Sequence, residues 1–319
     1  MTNADLLAEI RSFATTLDIL DLGISSAGSL EEESERLNEW LDKKYHGTMD
    51  WMQSKAVQRT NPKAYFPEAK CVLVASFNYF RDEPLNRGDE LANLSLYARG
   101  RDYHKVIRKK LQALLAFIQS KHPDAKGRVC VDSFPLMEKP FARRAGLGWL
   151  GKHTNLISKK HGSYFFLGEI LLSIDLPVSE PFTYDHCGSC TRCMDACPTP
   201  ALDKSYQIDA ASCISYLTIE HSGAIDADLQ KQMGNWVFGC DICQIVCPWN
   251  RFSETTAETD FAERLSHEQY RLTYLASLDE QQFEELFNGT PVRRAGYEQF
   301  MRNVAIAQKN VNESESSDL

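Results

Sequence analysis

In DYHKVIRKKLQALLAFIQSKH, residues 102–122, the apolar side chains Val106, Leu111, Leu114, Leu115 and Ile118 recur at helical intervals among lysines, arginines and glutamines. Such spacing predicts a helix with one buried face. On one side lies KCVLVASFNYF, residues 70–80, apolar, β-branched and aromatic, which predicts a buried strand. On the other, GRVCVDSF, residues 127–134, returns to a strand pattern. A strand, a helix and a strand in that order predict an α/β layer with the helix packed on a sheet. The first 60 residues read as helices, EEESERLNEWLDKKYHG ending near Gly47. LMEKPFARRAGLGWLGKHTNLIS, residues 136–158, predicts a helix that breaks into a glycine-rich turn, with short strands following around SYFFLGEILLSIDL. Gly146, Gly148 and Gly151 either mark close backbone approach to something bulky or belong to a helix cap and an ordinary loop.

The pattern changes near residue 180, where cysteine, proline and glycine replace the alternating apolar runs, and helical spacing returns from about 255. The polar ending NESESSDL is expected to be disordered. The predicted units are therefore an α/β domain over 1–180, a cysteine-rich domain over 181–255, a helical segment over 256–310 and a disordered tail over 311–319. A chain of 319 residues with 43% hydrophobic and 25% charged residues has the composition of a soluble globular protein. The amino terminus lacks the features of a secretory signal. FFLGEILLSI, the longest apolar patch, is interrupted by Glu169 and falls short of the roughly 20 residues of a membrane span. A cytoplasmic protein with no membrane association is expected, and in that reducing compartment clustered cysteines point to metal or redox chemistry.

Eight of the ten cysteines lie between 187 and 247. Cys187, Cys190, Cys193 and Cys197, followed by Pro198, fit C-x2-C-x2-C-x3-C-P at every position. That is the run of bacterial 4Fe-4S ferredoxins, whose fourth cysteine ligates the other cluster. FGCDICQIVCPWN supplies the second site through Cys240, Cys243, Cys247 and Pro248, with valine where the run's first cysteine would fall. Cys213, alone between the blocks, is the obvious replacement. The expected division is Cys187, Cys190, Cys193 and Cys247 on one 4Fe-4S cluster, and Cys197, Cys213, Cys240 and Cys243 on the other. Structural zinc is the rival, since C-x2-C pairs also suit sites of four thiolates. Cys71 and Cys130 sit in strand-like runs and read as small apolar core residues.

Two cubanes need about sixty residues, so clusters beside some 180 residues of α/β domain imply a second centre that receives their electrons. No GxGxxG follows a strand and no P-loop is present, so a Rossmann-type flavin or nicotinamide site is not supported. The net charge of -9 argues against a general nucleic-acid binder, leaving two local basic sets: Lys105, Arg108, Lys109 and Lys110, and Arg293, Arg294 and Arg302.

YARGRDYH at 97–104, VDSFPLMEKPFARRAGLGWLGKHTNLIS at 131–158, the 187–198 run, CDICQIVCPWN at 240–250 and FEELFNGTPVRRAGYEQFMRNVAIAQKN near the end together resemble the epoxyqueuosine reductase family over nearly the whole chain. That family is itself similar to the catalytic core of reductive dehalogenases. The resemblance implies a cobalamin-binding α/β core, a ferredoxin-like insert with two 4Fe-4S clusters and a short carboxy-terminal helical segment that touches tRNA. It implies a two-electron reduction of the epoxide of epoxyqueuosine, at the tRNA wobble position, to queuosine, the last step of its biosynthesis. Low-valent cobalt would attack an epoxide carbon, and Asp132 would donate the proton, provided burial raises its pKa towards neutrality.

By the same resemblance Tyr97, His153, Asn155, Ser215 and Asp241, with Arg59, are carried over to the cobalamin neighbourhood, with Asp132 beside them. No axial role is assigned to His153. Arg293, Arg294 and Arg302 are the expected tRNA contacts, with Lys105, Arg108 and Arg144 behind them. A monomer is expected, supplied by a low-potential donor such as ferredoxin or flavodoxin. Many relatives continue past the RNVAIA segment with helical repeats, so tRNA contacts made by such repeats are not carried over. The alternatives are a reductive dehalogenase-like enzyme and an electron carrier with two cubanes and no catalysis of its own.

Overall fold

The computed structural model describes residues 2–83, 88 and 90–317. Its centre is a four-stranded antiparallel sheet in the order Asp21–Ser26, Cys71–Asn78, Phe165–Leu172, Gly127–Cys130. Cys71–Asn78 and Gly127–Cys130 run parallel to each other, as a strand–helix–strand crossover requires, but Phe165–Leu172 lies between them and is antiparallel to both. The connection is a split crossover in an α+β sheet, with an 8-residue strand where short strands were expected.

Both faces of the sheet are covered, which explains the continuous apolar runs. Leu73, Ala75, Phe77, Ile170 and Leu172 point to one side, against helices Asn3–Thr15 and Tyr103–Lys121. Val72, Val74, Leu167 and Leu171 point to the other, against Phe141 and Ala142 of helix Glu138–Arg144. The periodic residues Val106, Leu111, Leu114 and Ile118 are buried as the spacing predicts, and Asp102 caps the helix by accepting from the His104 N–H. Gly146, at φ +80°, terminates Glu138–Arg144 in the left-handed region that favours glycine. A Cβ on Gly148 would lie 2.0 Å from the Ile157 carbonyl oxygen. The close approach at this turn is therefore to the chain itself.

Two expectations are corrected. The first 60 residues are not all helical, because Asp21–Ser26 pairs along its whole length with Cys71–Asn78. Its polar, short sequence carries little strand signal, and docking on a neighbouring strand decides its state. The tail expected to be disordered from 311 is helical as far as Ser317, within Tyr297–Ser317, and residues 318 and 319 lie outside the described residues. Nothing in that run breaks a helix, since it contains neither glycine nor proline and carries a Lys309–Glu313 ion pair at 3.8 Å.

A further core joins distant parts of the chain. Tyr270, Phe283, Phe287, Phe300 and Val304 pack with Leu94, Val237 and Phe238. Asn303, fully buried, donates to the carbonyls of Thr218 and Val237, both at 3.0 Å. The carboxy-terminal helix is thereby fastened to the cysteine-rich region. Short helices Arg192–Asp195 and Ile242–Ile245, one in each cysteine block, pack against each other.

Candidate functional site

A cavity of about 1110 Å³ opens between the sheet, the cysteine-rich region and the carboxy-terminal segment. Arg59, Tyr97, Asp132, His153, Asn155, Ser215 and Asp241 all line it, although they come from six separate stretches of chain. Cys213, Cys240 and Cys243 form part of the same wall, and Arg293 and Arg294 stand on it too.

Asp132 follows strand Gly127–Cys130 with φ at +39°, a conformation that costs a non-glycine residue energy and needs support. Support comes from Glu138, whose Oε1 accepts the Asp132 backbone N–H at 2.7 Å. The Asp132 side chain remains 50% exposed to the cavity. Its Oδ2 accepts from the Tyr103 hydroxyl at 2.5 Å and pairs with His104 Nε2 at 2.9 Å. His104 Nδ1 meets Asp102 Oδ1 at 2.8 Å. With a carboxylate on each ring nitrogen, the imidazole satisfies both by donating twice, which makes it an imidazolium.

The electrostatics agree with that count. Although burial opposes a charge there, hydrogen bonds to Asp102 and Asp132 and their charges raise the His104 pKa to about 9. Burial pushes Asp132 up, but hydrogen bonds from His104 and Tyr103 and the charges of His104 and Arg294 outweigh it, so its pKa is lowered. This corrects the expectation of a carboxyl raised by burial: at neutral pH Asp132 is an anion and the mobile proton sits on His104. Glu138, half-buried beside Asp132, is raised to about 8 by desolvation and then by the Asp132 charge. Glu169, on the sheet face that carries Glu138, is fully buried with neither oxygen hydrogen-bonded among the described residues, and is raised well above its ordinary value by burial, then by Glu138 and Asp132. Tyr103, His104, Asp102 and Glu138 were not assigned roles from the sequence. YARGRDYH held the signal for three of them, but only the fold brings its end against residue 132.

Among the described residues two buried donors on the cavity wall, Arg59 Nε and His153 Nε2, have no hydrogen-bond partner. His153 Nδ1 accepts from the Asn155 N–H at 3.2 Å, and burial, then the Lys139 charge, lowers the ring's pKa to about 4. The imidazole is neutral, with Nε2–H unspent. Asn155 Oδ1 is held by Lys139 Nζ at 3.1 Å. Asp241 is 1% exposed, its oxygens taken by the Ser95 hydroxyl and, at 2.7 Å, the Leu96 N–H. Its carboxylate ties the second cysteine block to residues 95 and 96.

The eight clustered thiols act on one another, and Cys243 is reached by Cys213, Cys193 and Cys197, from both expected sets. Burial pushes Cys193 up to about 11, and the thiols of Cys187, Cys247 and Cys190 add to this. Cys240 is raised by burial and then by Cys243 and Cys213, and Cys213 by burial with Cys197 among its neighbours. Among the described residues no three His, Cys, Asp or Glu side chains converge on a point that could hold one metal ion. A cubane needs no such convergence, because its four thiolates each take a different iron. Cys71 and Cys130 are buried in the sheet, as expected of core residues.

The basic residues divide. Arg293 pairs with Glu284, and Arg294 with Glu220 at 2.8 Å, both arginine side chains about half exposed. Exposed pairs are weak and can be exchanged for phosphates. Arg302 is different, which corrects its place among the tRNA contacts. All five guanidinium hydrogens are engaged, on the carbonyls of Leu217, His221 and Gly223 and on Asn303 Oδ1. Replacing Arg302 by Ala is expected to cost about 3 kcal/mol of stability, from about 1 kcal/mol for each hydrogen bond removed, less what water restores at the exposed carbonyls. Denaturant unfolding measures the loss, and tRNA affinity of the folded variant should stay unchanged.

Residues 59–133 match the family described as Epoxyqueuosine reductase QueG, DUF1730, and residues 186–250 the 4Fe-4S double cluster binding domain. The epoxyqueuosine reductase of Xanthomonas campestris pv. campestris is 43% identical over 316 residues, covering 98% of this chain and 88% of that one. A crystal structure of epoxyqueuosine reductase with an epoxyqueuosine-modified tRNA-Tyr stem loop is similar at a TM-score of 0.89 and 28% identity, over 98% of this chain and 83% of that one. The Bacillus subtilis enzyme, described with an aspartate catalytic loop swung out of its active site, is similar at a TM-score of 0.87 and 29% identity over the same shares. Likeness over 98% of this chain to an enzyme named epoxyqueuosine reductase favours an oxidoreductase over a free-standing electron carrier. The chain belongs to the epoxyqueuosine reductase family.

Proposed function

We propose that this chain reduces the epoxide of epoxyqueuosine in the anticodon loop of tRNA to the cyclopentene of queuosine, using two 4Fe-4S clusters and cobalamin. The observation that carries the reading is the shared cavity, where a proton-bearing pair, thiols of one proposed cluster and two exchangeable arginines meet. Two electrons and two protons convert the epoxide to an alkene and water. The division of the thiols into Cys187, Cys190, Cys193 and Cys247, and Cys197, Cys213, Cys240 and Cys243, is supported by the neighbours of Cys193, Cys213, Cys240 and Cys247, while Cys243 also has Cys193 near it.

The cavity suits cobalamin. Its volume exceeds the roughly 300–1,000 Å³ of pockets for smaller ligands, and Arg59 and His153 offer it unspent donors. Arg59, Tyr97, His153, Asn155 and Ser215 would hold it, with Asp241 bracing the wall behind. When bound, cobalamin supplies a low-potential cobalt capable of the ring-opening chemistry. The protein's task is then proton delivery. As the epoxide oxygen gains negative charge, the proton held on His104 Nε2 moves to Asp132 and from Asp132 to that oxygen, while Asp102 and Tyr103 hold the pair in register.

An anticodon loop offers an unstacked base that can enter a pocket, and basic groups need only line the phosphate path. Reversing the charge of Arg293 and Arg294 is expected to weaken tRNA binding. The slope of log affinity against log salt should fall by about 0.7 for each phosphate left without its arginine. Titrations at several salt concentrations measure both, and iron content should not change. Among the described residues no helix is long and apolar enough to cross a membrane, and a cytoplasmic location is proposed because the substrate is tRNA. The function is tested by mass analysis of tRNA nucleosides from cells lacking this protein. Accumulated epoxyqueuosine supports it, and unchanged queuosine overturns it.

A further inference from the structure

A second hollow, a surface groove of about 900 Å³, shares no lining residue with the catalytic cavity. Cys247, one of the thiols assigned to the first cluster, forms part of its floor. The two hollows touch the two thiol sets differently. Cys213, Cys240 and Cys243, all of the second set, line the catalytic cavity, whereas no member of the first set does. One thiol of the first set, Cys247, thus opens on the groove, and three of the second set open on the place of reaction.

The groove has the makeup of a transient docking site. Ile245 and Phe252, large apolar side chains that are 39% and 38% exposed, stand at and beside it. Arg192 and Arg251 line it, and both are exposed. Exposed Lys159 and Lys160 lie on the neighbouring turn, whose Gly162 packs on Asn250 and Ser253. Two acids lie among these four cations: Asp195, which accepts from the Thr191 hydroxyl at 2.7 Å, and exposed Glu254, whose charge acts on His161 of the same turn. A basic rim around an apolar centre is a local reversal on a chain of net charge -9, and it selects an acidic partner. Electron-transfer encounters are small and brief, and need no larger surface.

We propose that this groove docks a small acidic electron-carrier protein, bearing one flavin or iron–sulfur centre, beside the cluster held by Cys187, Cys190, Cys193 and Cys247. Each encounter oxidises the carrier by one electron and delivers that electron through the Cys247 side. Two encounters, with two protons from solvent, match one epoxide reduced. The inference rests on the reading that the chain is a reductase fed from outside.

The test uses the holoenzyme, reduced flavodoxin as the carrier and the variant Arg192→Glu with Arg251→Glu. The Kd for flavodoxin is measured across a salt series, beside iron content and turnover driven by dithionite. The variant should bind flavodoxin at least about tenfold more weakly at low salt, with a flattened salt dependence. Iron content and dithionite-driven turnover should be those of the wild type. Lys159→Glu with Lys160→Glu, away from the cysteines, should act in the same direction if the first variant loses iron. An unchanged flavodoxin Kd in both variants overturns the docking site, as does a loss confined to tRNA stem-loop binding. Wild-type holoenzyme that binds flavodoxin through the groove but reduces no epoxide with either reductant overturns the functional reading instead, and leaves the docking site standing.

Discussion

Replacing Asp132 by Asn is expected to lower turnover at least about a hundredfold, the low end of what general acids contribute, while iron and cobalamin contents stay those of the wild type. The amide keeps the size of the side chain but cannot take a proton from His104 and pass it on. Single-turnover assays on reconstituted enzyme measure the effect, and near-normal turnover would remove Asp132 from the proton path. The pH profile tests the pair. The His104 pKa is raised, so its proton is present below about pH 9 and is lost above it. Turnover should therefore persist through neutral pH and decline as pH rises past about 9, and in His104→Gln that decline should disappear along with most of the rate. Asp102, Asp132, Glu138 and Arg294 all act on this pair, so the decline is expected to be broad rather than that of one isolated group.

The second large effect is expected at Cys213. Replacing it by Ala should reduce iron from about eight to about four per chain and abolish epoxide reduction, because one cubane loses a thiolate that no other side chain supplies. Iron and sulfide analysis with electron paramagnetic resonance of the reduced protein measures the loss. The surviving signal should belong to the centre held by Cys187, Cys190, Cys193 and Cys247. Cys71→Ala is the control and should leave iron content unchanged, since that thiol is buried in the sheet with its Sγ on the Ile174 carbonyl at 3.2 Å. If Cys213→Ala retains eight irons, the assignment of this cysteine is wrong.

Much of the site could be read from the sequence because its chemistry is local. The motif C-x2-C-x2-C-x3-C-P fits within a dozen residues, so the run from Cys187 to Pro198 is recognisable by spacing alone, although its fourth cysteine is expected on the other cluster. Helix Tyr103–Lys121 was legible because one face meets one core, and strand Cys71–Asn78 because burial on both faces makes its run continuously apolar. The strand Asp21–Ser26 was not, because its six residues owe their state to the neighbour they pair with. Nor could Arg302 be told from Arg294. They lie eight residues apart in one basic segment, yet one is spent on backbone carbonyls while the other stands on the cavity wall.

By itself the amino-acid order determined the family and the cysteine spacing from which the proposed cluster ligands are read. The tertiary structure alone decided where the proton rests. A carboxylate's affinity for a proton depends on charges and donors within a few ångströms, and those neighbours, His104 and Tyr103, stand nearly thirty residues away in the chain and reach Asp132 only when the helix they begin is laid across the sheet.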